Sequence, residues 1–528
     1  MMKTQKSADN MDWQRKEFSV HKNAFMRQYR GLNKNYWIAM WDYDTNSTDE
    51  NKNKYSCASA KFDALLSDNK VRSKFESINP ENLSESQQRY LKRILDKLSD
   101  PAQQGDNELG KITLNISQKY SSYIPIINGK EVSLPEIQSV LKKEKDQDVR
   151  KSFYEAKVRG GDLIAEDIRQ LVIKRNEYAV SKGYKNFFEY IAKINYLVDV
   201  EELKKLLESI YLNMSEQLTR VLYERKYTLQ QTFNIDRLAP YHYEFLLDNG
   251  AERKANEYIK DVNQVIEIAK KTYKGMGYDI DKLIREGKLT MDLLPRKNKN
   301  SHGFTFWCAP CKDNRILANL TNDINSLRTL NHELGHCMYG LNYSRNLCFF
   351  DKIAYYPITE AVSDMIGDIH KRENILKDIL PCHLLQELKD EYITDEILRM
   401  SRQMGLNEFE MKMYENPEQD LSVLWRDIRV KYMGADMDEK PDNQWATIPL
   451  FLTHVSYCQN YIRASIMKAQ IYDYLHSKLG DITDNPKTAH CLNSGLFRYG
   501  RSLSEDELIE KFTGKKLSQE AFIKSLSR

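Results

Sequence analysis

Two imidazoles four residues apart, His332 and His336, with Glu333 between them, are the side chains of this sequence best placed to do chemistry. A four-residue step on a helix turns about 400°, so both rings leave nearly the same face and can share one metal ion. Glu333 sits about 100° round from His332, beside that ion, where the carboxylate of an H-E-x-x-H hydrolase takes a proton from water. A third ligand is expected downstream. Glu360, in Pro357-Ile358-Thr359-Glu360-Ala361-Val362-Ser363-Asp364, is the candidate. Asp364 follows one helical turn later, placed to orient a ligating histidine from behind. Two His, one Glu and an open water position make a hydrolytic site for a single Zn2+ ion, whereas a structural site would be closed and usually rich in Cys.

These groups require a helix through the two histidines and a second one beneath Glu360. Ile358 to Ile375 reads as that second helix, with Val362, Ile366 and Ile369 along one stripe. Upstream, Gly303 to Phe306 and Arg315 to Leu320 flank the breaker-containing stretch from Ala309 to Asn314 and read as a β-hairpin. An exposed edge there would bind peptide as an added strand, which makes Gly303 and Phe304 candidate substrate-binding residues. Helical periodicity covers Pro135 to Glu155, Ile164 to Ser181, Val200 to Tyr227 and Arg253 to Met276. Asp100-Pro101, Gly160-Gly161, Asn249-Gly250 and Gly275-Met276-Gly277 read as breaks that bound or separate such stretches. The expected class is mainly α with a small antiparallel β element beside the zinc helix.

The pattern resembles the gluzincin peptidases of the angiotensin-converting enzyme type and the related oligopeptidases. The resemblance is carried by the 24-residue interval from His336 to Glu360, by Glu360-Ala361-Val362-Ser363-Asp364, and by Ser301-His302-Gly303-Phe304-Thr305-Phe306-Trp307. Arg315-Ile316, the run Leu327 to Asn331 and, near the N-terminus, Trp41-Asp42-Tyr43-Asp44-Thr45-Asn46 extend it along the chain. It implies two helical halves around a deep active-site cleft, with zinc on the cleft floor and access for short peptides. It also implies that His302 helps to hold substrate near the metal.

For the oxyanion of amide hydrolysis the resemblance implies a tyrosine donor, and two alignments compete in the stretch from Ile448 to Gln470. One makes His454 the transition-state histidine and Tyr461 a binder of the substrate carboxylate, with Ala464 where the oxyanion tyrosine belongs. The other makes Tyr461 the oxyanion donor and leaves Leu450 in the place of the histidine. Tyr461 is a site residue under both, and Tyr457 joins it as a substrate-binding candidate. The lysine with which the family's dipeptidases hold a C-terminal carboxylate is replaced by Leu452 or Ile448, so a strict dipeptidase specificity is not implied.

Composition bounds the rest. With 79 basic and 76 acidic residues among 528, the near balance gives no electrostatic case for nucleic acid or an anionic membrane. No apolar N-terminal core and no run of about 18 apolar residues is present, so neither a signal peptide nor a membrane span is expected. Eight cysteines in so long a chain are not a disulfide framework. Ser301 and Asn319 stand where secreted relatives carry cysteine, which favours a reducing cytoplasm. Cys308-Ala309-Pro310-Cys311 is a lone C-x-x-C without the second pair or βαβ context that redox or zinc-knuckle chemistry needs.

The chain is expected to form one catalytic unit over residues 1–528, with its zinc-site core near 295–370 and its oxyanion segment near 445–475. Zinc-dependent cleavage of short peptides, of peptidyl-dipeptidase or oligopeptidase type, is the expected activity. A zinc hydrolase for a specialised peptide-like or small amide substrate, and a catalytically weak peptide-binding protein, are the alternatives.

Overall fold

The computed structural model describes residues 2–98, 108–247, 250–352, 356–373 and 375–526, with side chains from Trp13 onward. Helices dominate, as the 3.6-residue periodicity requires, and acidic residues start several of the long ones. The elements that matter for the site begin with α1 (Met2–Thr45), α2 (Gln147–Ser181) and α3 (Val200–Phe233). Asp146 caps α2 by accepting from Val149 N, and Asp199 caps α3 by accepting from Glu201 N and Glu202 N.

Four of the expected helix boundaries are corrected, the helix expected over Ile358 to Ile375 running instead over Tyr356–Gly367 and giving way to a 3-10 turn at Asp368–Lys371. The stretch from Pro135 to Glu155 is interrupted after a helix at Leu134–Lys143, and α2 then runs unbroken through Gly160-Gly161. A Cβ on Gly161 would lie 2.2 Å from the carbonyl oxygen of Asn443, so this glycine serves a close approach rather than a break. The stretch from Arg253 to Met276 divides into helices at Gly250–Asn256 and Val262–Met276, the second opened by Asp261 accepting from Gln264 N. The breakers expected at Asp100-Pro101 and at Asn249 lie outside the described residues.

The hairpin is present as β2 (Phe304–Ala309) and β3 (Asp313–Leu317), antiparallel, with Thr305 opposite Ile316 and an irregularity between Phe306 and Ala309. A third strand, β1 (Leu289–Asp292), pairs parallel with β3, so the sheet is mixed and its order is β1-β3-β2. β2 is therefore an edge strand, with one row of backbone groups unpaired within the sheet. A two-residue antiparallel pair, Ile126–Ile127 with Lys130–Glu131, lies elsewhere.

Beyond the sheet come α4 (Ile324–Leu341), α5 (Tyr356–Gly367), α6 (Cys382–Glu415), the short α7 (Pro449–Thr453) and α8 (Cys458–Leu479). Two large apolar cores hold these elements. One unites Leu327, Leu330 and Leu334 of α4 with Val362 and Ile366 of α5, Ile369 just beyond it, and Met467 and Ile471 of α8. The other unites Ile164, Ile168 and Leu171 of α2 with Ile210 and Met214 of α3, Ile397 and Met404 of α6, and Ile462 and Ile466 of α8. Each fully buried aliphatic side chain contributes about 1.5–3 kcal/mol, so the cores fix these helices far more firmly than their intrinsic propensity. No helix among the described residues is long and apolar enough to cross a membrane.

Candidate metal centre

The metal-binding arrangement follows from how closely α4 and α5 approach. Asp323 caps α4 by accepting from Ser326 N, and the helix then buries Leu327, Leu330 and Leu334 on one side. Gly335 permits the contact with α5: a Cβ there would lie 2.8 Å from the Cα of Ser363. Any side chain would push the two helices apart and carry Glu360 away from the histidines.

With the helices so packed, one ligand atom each from His332, His336 and Glu360 falls within 4.8 Å of the others. The two Nε2 atoms are 3.1 Å apart, His336 Nε2 is 3.3 Å from Glu360 Oε1, and His332 Nε2 is 3.6 Å from Glu360 Oε2. Ligands held tetrahedrally at about 2.0–2.1 Å from one centre are separated by roughly 3.3 Å, so the three atoms fit a zinc ion. The set of two imidazoles and one carboxylate leaves a coordination position for water, as a hydrolytic site requires.

Glu333, buried on α4, is clasped by the edge strand. Thr305 Oγ1 donates to Glu333 Oε2 at 2.7 Å and also lies 2.9 Å from the Glu333 carbonyl oxygen. On the other side, a Cβ at Gly303 would sit 3.3 Å from Glu333 Oε1, so the bare backbone of Gly303 lies against the carboxylate. Phe304 is partly exposed at the head of β2. His302 is exposed and lies against its own turn, with its backbone N–H donating to Asn300 Oδ1 at 3.1 Å and its Nδ1 3.3 Å from the same oxygen.

Behind the ligands stands an ionic network. Asp364 Oδ1 lies 3.1 Å from His332 Nδ1 and accepts from Arg328 Nη2 at 2.9 Å. Burial opposes ionisation of Asp364, yet the hydrogen bond and charge of His332, with Arg328 and Arg399, hold it well below the usual carboxylate range. Burial alone would lower the His332 ring, but the hydrogen bond and charge of Asp364, with the charges of Glu333 and Glu360, raise it to about 9. Arg328 Nε also donates to Asp368 Oδ1 at 2.7 Å. The buried Lys468 on α8 links Asp368, at 3.2 Å, to Glu396, at 2.7 Å.

Tyrosine rings gather on the Glu360 side. Tyr356, one turn before Glu360, has its ring 5.2 Å from that of Tyr457 and 6.1 Å from that of Tyr461. Burial, then the charge of Glu360 and hydrogen bonding with Tyr457, push Tyr356 far above the usual phenol range. Tyr461 is raised too, by burial and by Glu360 among other neighbours. His454 is exposed at the end of α7, with Nδ1 2.7 Å from Thr453 Oγ1 and its ring 5.5 Å from Tyr457. Ala464 is buried in the first core, Leu452 is buried in the second, and Ile448 and Leu450 pack against the second.

Thr305, Tyr356 and Arg328 are the site residues to which the sequence reading gave no role. The last two had a signal, since each precedes a proposed ligand by four residues, Arg328 before His332 and Tyr356 before Glu360. The C-x-x-C sits on the hairpin. Burial pushes the Cys308 thiol up to about 12 and raises Cys311 as well, so neither is poised as a thiolate.

Comparison with known proteins agrees with this geometry. The family model for peptidase family M3 matches residues 140–528, and that for angiotensin-converting enzyme matches residues 14–239. The first span contains the whole metal centre and the second contains the Trp41 to Asn46 motif. Oligopeptidase PepF of Bacillus subtilis (strain 168) is 24% identical over 393 residues, which cover 66% of this chain and 55% of that protein. The chain thus spans about half the length of this curated relative.

Proposed function

Because the chain belongs to peptidase family M3, whose members are zinc hydrolases, we propose that it cleaves peptide bonds in short peptides, as an oligopeptidase or peptidyl-dipeptidase. The observation that carries the reading is the convergence of His332, His336 and Glu360 beside a Glu333 carboxylate clasped by the edge strand. When bound by those three residues, zinc supplies Lewis acidity for water and for the scissile carbonyl.

In this reading the unpaired edge of β2 aligns an extended peptide through backbone hydrogen bonds, with Gly303 leaving room for it beside Glu333. Glu333 accepts the proton of the attacking water and returns it to the leaving amine. Tyr461 donates a hydrogen bond from its hydroxyl to the carbonyl oxygen as negative charge builds there, and His454 is the candidate second donor. His302, Phe304 and Tyr457 contact the flanking peptide residues. The substrate cleft between two halves, and a cytoplasmic setting suggested by Ser301 and Asn319, are parts of the same proposal.

Leu452 is buried and Ile448 packs against the same core, so neither position offers a cation for a substrate carboxylate. The family relative in Bacillus is an oligopeptidase, and the loss of this anchor supports the same broad class over a strict dipeptidase. The test is digestion of a mixed synthetic peptide library by the zinc-loaded protein and by its Glu333→Gln variant, read by mass spectrometry. Internal cuts that vanish in the variant are expected. Complete absence of variant-sensitive cleavage would overturn the reading and leave a specialised amide substrate or a peptide-binding protein.

A further inference from the structure

The polypeptide that delivers Tyr457 and Tyr461 turns sharply between α7 and α8. Ser456 holds a left-handed φ of +58° in that turn, a conformation uncommon for a residue other than glycine. Helix α8 then starts without a cap of its own, since Tyr457 makes no side-chain capping bond. Ser456 itself is buried, and a backbone N–H inside the protein needs an acceptor.

We infer that Glu410 of α6 is that acceptor and acts as a positioning residue, fixing the turn at Ser456 and with it the entry of the tyrosine helix into the site. Its Oε1 accepts from Ser456 N at 3.1 Å, across 46 residues of sequence. The inference rests on the peptidase reading for its catalytic consequence, though its structural part stands apart from it.

Among the described residues Glu410 forms no ion pair that would otherwise explain a carboxyl group there. It is 1% exposed, and burial raises it to about 8. Arg175, the cation whose charge reaches it, spends its N–H groups on Tyr414 Oη at 3.0 Å, the Leu452 carbonyl at 2.7 Å and Thr113 Oγ1 at 3.2 Å. The last turn of α7 is therefore tied down by Arg175 and the turn after it by Glu410. Around them the polar floor is under-satisfied. Among the described residues, Ser456 Oγ and Gln459 Oε1 are buried without partners, Gln459 Nε2 donates to Asn460 Oδ1 at 2.6 Å, and the Asn460 side chain hydrogen-bonds Tyr196. The turn's own backbone bonds, Tyr457 N to the His454 carbonyl at 3.2 Å and His454 N to the Leu450 carbonyl at 2.9 Å, are local, whereas the Glu410 bond joins it to α6.

The test compares full-length zinc-loaded wild type with Glu410→Met and Glu410→Gln by amide hydrogen exchange and by steady-state cleavage of a quenched peptide. The Met variant keeps the length and removes the acceptor. It is expected to exchange about tenfold faster at 456–461 while residues 324–341 keep their protection. Its kcat is expected to fall by about tenfold, with KM and zinc content unchanged. Glu410→Gln, which retains a carbonyl acceptor, is expected to restore both. Unchanged exchange at 456–461 in the Met variant would overturn the inference, as would a Gln variant that behaves like Met or a loss of protection spread over the whole chain. If the Met variant does not fold, the Gln variant decides: kept protection supports an acceptor role, and lost protection rejects it. Absence of Glu333-dependent cleavage in the wild type would sink the peptidase reading instead, leaving the exchange result to judge Glu410.

Discussion

Replacing Thr305 by valine tests whether the edge strand does more than align substrate. Valine has nearly the same shape and a strong β preference, so the strand and its pairing with Ile316 are retained. What disappears is the hydroxyl that donates to Glu333 Oε2 at 2.7 Å. A hydrogen bond to a charged group contributes about 1.5–3 kcal/mol. Only the part of that energy that orients the carboxylate toward water in the transition state appears in the rate. If half of it does, the loss is about 0.8–1.5 kcal/mol, or roughly 4- to 13-fold in kcat, since 1.36 kcal/mol is a factor of ten. KM is expected to stay within about twofold, because no substrate contact is removed. The assay is cleavage of a quenched peptide by wild type and variant at matched zinc content, with the thermal midpoint as a check on folding. A kcat within about twofold of wild type at full zinc occupancy would refute the orienting role. A loss of zinc alongside activity would also refute it, because the clasp would then be holding the metal helix rather than the base.

Four further substitutions probe the site's supports and the helix packing. Asp364→Asn removes the charge behind His332 and leaves Arg328 with Asp368 alone, so zinc affinity measured against a competing chelator is expected to weaken about 10- to 100-fold. Gly161→Ala should destabilise the fold by about 1–3 kcal/mol in denaturant despite the better helix propensity of alanine, because its Cβ meets the Asn443 carbonyl. Gly31→Ala, in α1 with open space around it, should instead be neutral or slightly stabilising. Glu410→Gln should gain stability relative to wild type as pH rises from 4.5. The unfolded wild-type chain releases the proton near 4.5 whereas the folded one keeps it to about 8, so wild-type stability falls by about 1.4 kcal/mol per pH unit within that window. The advantage should level off above pH 8, and a pH-independent difference in melting would refute the buried neutral carboxyl.

The metal ligands were legible because their geometry is local. A four-residue interval on one helix fixes His332 and His336, and the stripe of Val362 and Ile366 fixes which way Glu360 faces. Thr305 was not legible, since its contact with Glu333 depends on how the hairpin packs over α4 and crosses 28 residues of sequence. Gly160-Gly161 misled in the opposite direction. Taken alone, two glycines weaken a helix by about 1 kcal/mol each, and only the approach of the Tyr123 and Tyr120 rings to Gly160 and of the Asn443 carbonyl to Gly161 shows what they accommodate within α2. β1 is four residues long, with only Leu289 buried and Thr290 exposed, too short for its periodicity to be read before its parallel partner is known. The division near Asp261 did carry a readable signal, an aspartate three residues before the glutamine whose N–H it caps.

The two long helices α6 and α8 each bury side chains in both large cores, with Leu384 and Leu388 on one side of α6 and Ile397 and Met404 on the other. They are beams common to both cores. Neither core can melt without stripping apolar partners from the other, so heat or denaturant should take the two down in one cooperative transition. A flexing of α8 is a motion that both cores would register. Since α8 carries Tyr461 at one end and Lys468 two turns on, such flexing moves the tyrosine and the ionic network behind the metal together.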